Sequence, residues 1–322
     1  MAATALMMRA SRLTIAMPKC DAARRPQTAR SRADRQGTRV MLTTMQDLMR
    51  PPAGMAFDFS QPVGEPALAP QGGVSWRIFA NPVSLFIGGV AAVLLELAEP
   101  SVRAGVWDHS SFERDPGMRL RRTGFAAMMT VYGPRSAAER LIGQVVRMHG
   151  HVQGSTPDGV TYHANDPRLL DWVQATASFG FTEAYHRYAR PLSRAEQDAA
   201  FAEAAPAARL YGATGAPRSR AQWEAMLAAT APGLQGSETL TDFLRIMREA
   251  PILPAMLRPL QRLLVRAAVE MTPEPVRSLP QLRGQGLRFG ETMLVRALGR
   301  VAGMLPLGDT PPAQAARRLA NA

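Results

Sequence analysis

The chain predicts an all-α protein, a single helical bundle domain, and three observations carry that prediction. No stretch alternates apolar and polar residues over more than a few positions, as a half-buried strand would. Apolar residues recur instead at three- and four-residue spacing, bracketed by the start and stop signals of helices. No internal repeat appears.

Composition bounds the function classes. At 322 residues, with 46% hydrophobic and 20% charged residues, the chain has the make-up of a globular protein with a sizeable core. Its net charge is +12, and Lys19 is the only lysine, so the positive charge is nearly all arginine. Residues 1–50 alone contribute +7, which leaves the rest a modest surplus. No basic helix with interleaved aromatics appears beyond that stretch, so a nucleic-acid partner is not expected. The single cysteine, Cys20, rules out a disulfide framework or a Cys-rich metal site within one chain.

Taken in order, residues 1–50 are rich in Arg, Ala, Ser and Thr and read as a disordered extension. A true start at Met41 or Met45, or an Arg-rich leader, are the alternatives. Arg24-Arg25 is followed by no apolar segment, so an export signal is not expected. Residues 51–69 form a Pro/Gly-rich lead-in, the folded domain is expected over 70–305, and residues 306–322 read as a flexible tail. The run PVSLFIGGVAAVLLEL from Pro82 reads as a buried core helix. Its uninterrupted apolar part, Val83 to Leu95, is 13 residues long, too short to cross a bilayer. Glu96 and Glu99 interrupt it and Pro100 ends it. No transmembrane segment is expected, peripheral membrane contact stays open, and a cytoplasmic location is expected.

From Arg114 to Gly154 two consecutive helices are predicted. The first starts with Asp115 as N-cap and Pro116 at the first helical position, and stops at Gly133-Pro134. Arg119, Arg122 and Thr123 share one of its faces, followed by the small residues Ala126 and Ala127. The second helix starts with the capping-box pattern Ser136-Ala-Ala-Glu139. Its predicted apolar face is Leu141, Ile142, Val145, Met148 and Val152, and His149 lies on it while His151 faces elsewhere. One imidazole is thus offered to the interior near a helix with two guanidiniums and a hydroxyl. That set suits a buried flat anion with a metal at its centre, or a hydrogen-bonded core histidine, and spacing leaves both readings open. Pro157-Asp158-Gly159 marks a turn. Asp166-Pro167 starts a helix with the stripe Leu170, Val173, Ala177, Phe181, Ala184, Tyr185 and Tyr188, with Gln174 and Thr176 as polar insertions. Ser193-Arg-Ala-Glu196 is a second capping box, opening a helix that Pro206 should kink and Gly212 end. Further helices are expected around residues 222–229, 239–249, 256–271 and 291–304.

The run LLELAEP, GVWDHSSFERDP, RLRRTG, VYG, RMHGHVQG, DGVTYHANDPRLLDWVQATASFGFTEAYHRY resembles the MpaB-type oxygenase and latex-clearing-protein (rubber oxygenase) family over about residues 60–230. Arg-x-x-x-Thr, His-x-x-Val-x-Gly and Tyr-x-Ala-x-Asp-Pro together carry the resemblance. It implies a globin-like helical core with extra helices holding haem b, and use of dioxygen on an apolar, isoprenoid or lipid-like substrate. His149 matches the family's iron ligand, and Arg119 and Thr123 match its Arg-x-x-x-Thr helix. Arg122 falls where rubber-cleaving members place a lysine; an arginine there keeps its proton and can only donate hydrogen bonds. Gln174 departs from a histidine in many relatives. Glu96 and Glu99 do not match the spacing of the family's acidic base. His151, His163 and His186 read as surface or supporting residues.

The resemblance implies a haem-dependent oxygenase in which His149 holds the iron. Arg119 and Thr123 form the distal or propionate side, and Arg122 polarises oxygen. A non-catalytic haem-binding or oxygen-sensing module is the alternative. A metal hydrolase built on His149 and His151 is disfavoured, because residues two apart diverge on a helix. A helical protein with no cofactor completes the set.

Overall fold

The structure, a computed structural model, describes residues 57–108, 115–304 and 308–320; the expected extension over 1–50 and the lead residue Arg114 lie outside them. Among the described residues thirteen α-helices and one small hairpin follow in order: α1 (Val74–Phe79), α2 (Pro82–Ala98), α3 (Pro100–Asp108), α4 (Pro116–Tyr132), α5 (Arg135–His149), β1 (Gln153–Ser155), β2 (Thr161–His163), α6 (Pro167–Tyr188), α7 (Arg194–Tyr211), α8 (Arg220–Thr230), α9 (Glu238–Glu249), α10 (Arg258–Met271), α11 (Glu274–Arg277), α12 (Glu291–Met304) and α13 (Pro311–Ala320). The all-α class expected from periodicity is the class found.

Helix α2 is the axis of the larger core. Asn81 caps it by accepting from the Ser84 N–H (3.0 Å), and donates from Nδ2 to the Gly299 carbonyl of α12 (2.8 Å). Its most extensive neighbour is α6. The two backbones touch where Gly88 meets Gly180: a methyl added at Gly88 would lie 2.7 Å from the Gly180 carbonyl oxygen, and one at Gly180 would strike the Gly88 carbonyl. Glycine is needed at both places because backbone faces backbone there. Around this crossing α9 and α10 add Leu240, Phe243, Leu244, Leu264 and Val265. Trp223 stacks on Phe179 (4.7 Å between ring centres) and on Trp172 (5.8 Å).

A second, smaller core sits where α4 turns into α5. Phe59, Leu68, Met128, Met129, Tyr132, Ala138, Ile142 and Ala315 form it, so residues before α1 and after α12 both pack on the α4–α5 corner. Arg318 of α13 is fully buried and donates to three backbone carbonyls, those of Glu65 (2.8 Å), Phe59 (2.6 Å) and Tyr132 (2.8 Å). The Tyr132 carbonyl belongs to the last turn of α4, where the helix itself supplies no donor.

Several expectations need correcting. Residues 306–322, expected as a flexible tail, contain α13 with its buried arginine, and the lead-in expected up to residue 69 contributes Phe59 and Leu68 to a core. The Ser136–Glu139 pattern is not a capping box. Helix α5 begins at Arg135 with Pro134 in the N-cap position, two residues earlier than that pattern would start it, and the Glu65 carboxylate takes the Ser136 N–H (2.6 Å) and hydroxyl (3.1 Å), doing from outside what Glu139 would have done. Pro206 lies inside an unbroken α7, which Gly212 ends at φ 93°. Pro100 does not only stop α2: it is the first residue of α3, which leaves α2 at 111° and is capped by Glu99, whose carboxylate accepts from the Val102 N–H (2.7 Å). The expected loop after α5 is an antiparallel hairpin, Gly154 opposite Tyr162, because Gly159 supplies a left-handed turn (φ 82°).

Candidate functional site

Helices α4 and α5 form a hairpin fastened at its closed end, Gly133-Pro134, by the smaller core. Its open end carries Arg119 and His149. Asp115 starts α4 as expected, its carboxylate accepting from the Met118 N–H (3.0 Å). Arg119 is half-buried, and its Nη1 donates to the Thr123 hydroxyl one turn on (3.1 Å), which in turn donates to the Arg119 carbonyl (3.0 Å). Thr123 therefore fixes the direction of the guanidinium. Arg122 does not join this pair inside: it is exposed, and its charge reaches Arg119 from outside. The strip beyond is shallow, with Gly124 exposed and no atom within 4 Å of where its side chain would begin.

On α5, Ile142 is buried and Val145 half-buried, but Met148, expected on the apolar face, is 59% exposed. It lies one step of about 100° round the helix from His149, which is enough to carry it off that face. His149 is half-buried, and its Nδ1 is a buried ring nitrogen with no hydrogen-bond partner. Burial, followed by the positive charge of Arg119, lowers its pKa, so the imidazole is held neutral. His151 is exposed. His163 and His186 are structural: each accepts a backbone N–H at Nδ1, from Asn165 (3.1 Å) and Leu192 (2.9 Å). Asn165 also donates to the Val146 carbonyl (3.0 Å), tying the chain that returns from the hairpin to the last turn of α5, on which His149 stands.

The residue that spacing failed to assign is Glu96. It stands near the end of α2, half-buried as a residue, with its carboxyl enclosed enough that burial pushes its pKa up to about 7. The charge of Arg119 and a hydrogen bond from the Thr176 hydroxyl (3.3 Å) pull the other way. Arg119 thus acts on both Glu96 and His149, and the site draws on four helices: Glu96 from α2, Arg119 and Thr123 from α4, His149 from α5 and Thr176 from α6. Glu99, the other acid considered, is occupied in capping α3 and pairing with Arg168 (3.2 Å). Gln174 bonds Ser178 on its own helix (3.3 Å). The signals that could have found Glu96 were a carboxylate inside an otherwise apolar helix and Thr176, a polar insertion on a second apolar helix.

Three residues before Glu96, Thr123 and Thr176 on the same helices stand Val93, Leu120 and Val173, and Val152 lies in the chain past the end of α5; all four are partly buried against the larger core. A neutral imidazole and a directed guanidinium are two of the parts that a haem site uses, the first for the iron and the second for the propionates. The Nδ1 of His149 is buried and without a partner, so this nitrogen is not used to hold the fold together, and the donor chemistry of His149 and Arg119 fits haem. Among the described residues no three His, Cys, Asp or Glu side chains gather to hold a bare metal ion, so a multi-ligand centre on His149 and His151 is not supported. A cavity of about 180 Å³ lies elsewhere, between α6, α8 and α11, lined by Phe179, Arg187, Arg220 and Trp223 among others.

A family model described as "ER-bound oxygenase mpaB/B'/Rubber oxygenase, catalytic domain" matches residues 76–304, reaching well past the limit near residue 230 expected from the motifs. Two curated relatives, the uncharacterized proteins Mb2261 of Mycobacterium bovis and Rv2237 of Mycobacterium tuberculosis, are each 30% identical over 118 residues, covering 35% of this chain and 46% of theirs. The chain therefore spans about half the length of the curated relatives it matches. No solved structure matches.

Proposed function

The chain belongs to the mpaB/rubber oxygenase catalytic-domain family, and from that premise we propose that it is a haem b-dependent oxygenase acting with dioxygen on a bulky apolar substrate of isoprenoid or lipid-like character. The observation that supports this reading most is the half-buried, neutral imidazole of His149, its Nδ1 enclosed and unpartnered, beside the Arg119 guanidinium and within the same site as Glu96. His149 is the residue that would hold the iron. A haem held there would supply redox chemistry with dioxygen.

The chain's own residues do the remaining work. Arg119, steered by Thr123, offers guanidinium donors to a carboxylate or to negative charge building up on oxygen. With its pKa near 7, Glu96 can take a proton from a substrate carbon or return one, and Thr176 orients the carboxyl. Val93, Leu120 and Val173, apolar neighbours of Glu96, Thr123 and Thr176 on their own helices, favour an apolar substrate. Arg122, on the exposed flank, adds positive charge near the rim.

A second reading, a non-catalytic haem-binding or oxygen-sensing protein, draws on the same residue: Arg122 stands where rubber-cleaving relatives have lysine, and it faces outward. Oxygen uptake separates the two. Haem-loaded protein supplied with squalene, polyisoprene oligomers or unsaturated fatty acids should consume oxygen in step with substrate loss for at least one of them. Binding of oxygen without any turnover across that set would favour the sensing module.

A further inference from the structure

We propose that α12 is a membrane-docking helix that lays its outer face on the surface of an anionic phospholipid bilayer. The inference concerns where the protein sits and stands apart from the haem chemistry. Helix α12 has its inner face in the fold through Val295, Gly299 and Ala302. Gly299 lets it lie directly on the end of α6, since a methyl there would strike the Tyr188 carbonyl. The opposite face is apolar and exposed: Met293 (72%), Leu294 (52%), Val301 (44%) and Met304 (74%), with Phe289 just before the helix fully exposed. At 100° per residue Met293, Val301 and Met304 fall within one quadrant, so they form a stripe and not a scatter. A contiguous exposed apolar stripe of this kind marks a contact surface.

Charge identifies the occupant. Arg300 stands on this outer side of α12, exposed, with Arg288 exposed next to Phe289, while Arg296, also exposed, turns its Nε back to the Arg187 carbonyl (3.2 Å). The helix's one acid, Glu291, is turned inward and held by Arg266 in a two-point pair (2.6 and 2.9 Å). The outer face thus combines apolar side chains with arginine and no carboxylate. That is the pattern of a helix lying in the interface plane, its apolar residues reaching the acyl boundary while its cations meet anionic headgroups. A second copy of the chain docked face to face would set these arginines against their own counterparts, which like-charge repulsion opposes.

Flotation of the full-length protein with vesicles tests this. Vesicles of phosphatidylcholine mixed with phosphatidylserine should carry the protein upward, while phosphatidylcholine alone should carry much less. The triple variant Phe289→Ser, Met293→Ser, Met304→Ser changes only exposed side chains and should keep its thermal midpoint, yet lose binding about tenfold or more. Arg300→Gln should lower binding to the anionic vesicles several-fold and weaken its salt dependence. Equal binding by the triple variant and the native chain, or no flotation of the folded native chain, would overturn the proposal. Self-association that the triple variant abolishes, with no vesicle binding, would overturn it in favour of a second copy.

Discussion

Glu96→Gln is expected to slow substrate oxidation about a hundredfold while leaving the fold and haem binding in place. The magnitude is that of losing a positioned acid–base group, and the near-identical shape of glutamine keeps the contact with Thr176. The native enzyme's rate should climb with pH through about 7, the value to which burial raises the carboxyl, and the variant's should not. Stability provides a readout independent of substrate. The folded pKa lies above the ordinary value of 4.5, so the folded chain holds this proton more tightly than the unfolded chain does. The resulting stabilisation is fully present below about 4.5 and is lost as pH rises towards 7, on the order of 3 kcal/mol in all. Glutamine carries no such dependence, so the thermal midpoint of Glu96→Gln relative to the native chain should rise between pH 5 and 8. Parallel pH profiles for the two proteins would show that the carboxyl is not enclosed.

Arg318→Ala should cost about 4 kcal/mol, roughly 10 °C in thermal midpoint for a chain of this size. Its guanidinium spreads over three carbonyls that have to be desolvated when α13 docks, and alanine leaves all three without that donor, beside a cavity. Arg318→Lys keeps the charge but not the planar fork and should recover only part of the loss. The effect reaches the site because Arg318 holds the end of α4 opposite Arg119. A thermal midpoint within about 2 °C of the native value would show that α13 does not brace the helix.

The helices were legible where a local signal and the final environment agree. Asp115, Asp166 and Ser193 cap the helices they appear to cap, because an N-cap needs only its own next three residues. The 13-residue apolar run of α2 could be read as core because a helix buried on almost every side needs no period. Ser136 misled because its pattern was satisfied by Glu65, 71 residues earlier, and no local window contains that partner. Arg318 was illegible for a similar reason: its acceptors are carbonyls 186 to 259 residues away, and every residue has a carbonyl. In the site, the face shared by Arg119 and Thr123 follows from spacing, whereas His151, expected further round the same helix as His149, lies beyond its end, which comes at His149 itself. Glu96 did not follow, since its meaning depends on Thr176 and Arg119 arriving from other helices, and Met148 shows how far one residue can stray from an apolar stripe.

The absorption spectrum of the purified protein, incubated with haem and freed of excess, tests the central claim most directly. The native chain should show one haem per chain with a sharp Soret band, and His149→Ala should lose that band and its stoichiometric binding while His151→Ala and His163→Ala keep both. A native chain that retains no haem, or a His149→Ala variant with an unchanged spectrum, would contradict the assignment of His149 as the iron-holding residue.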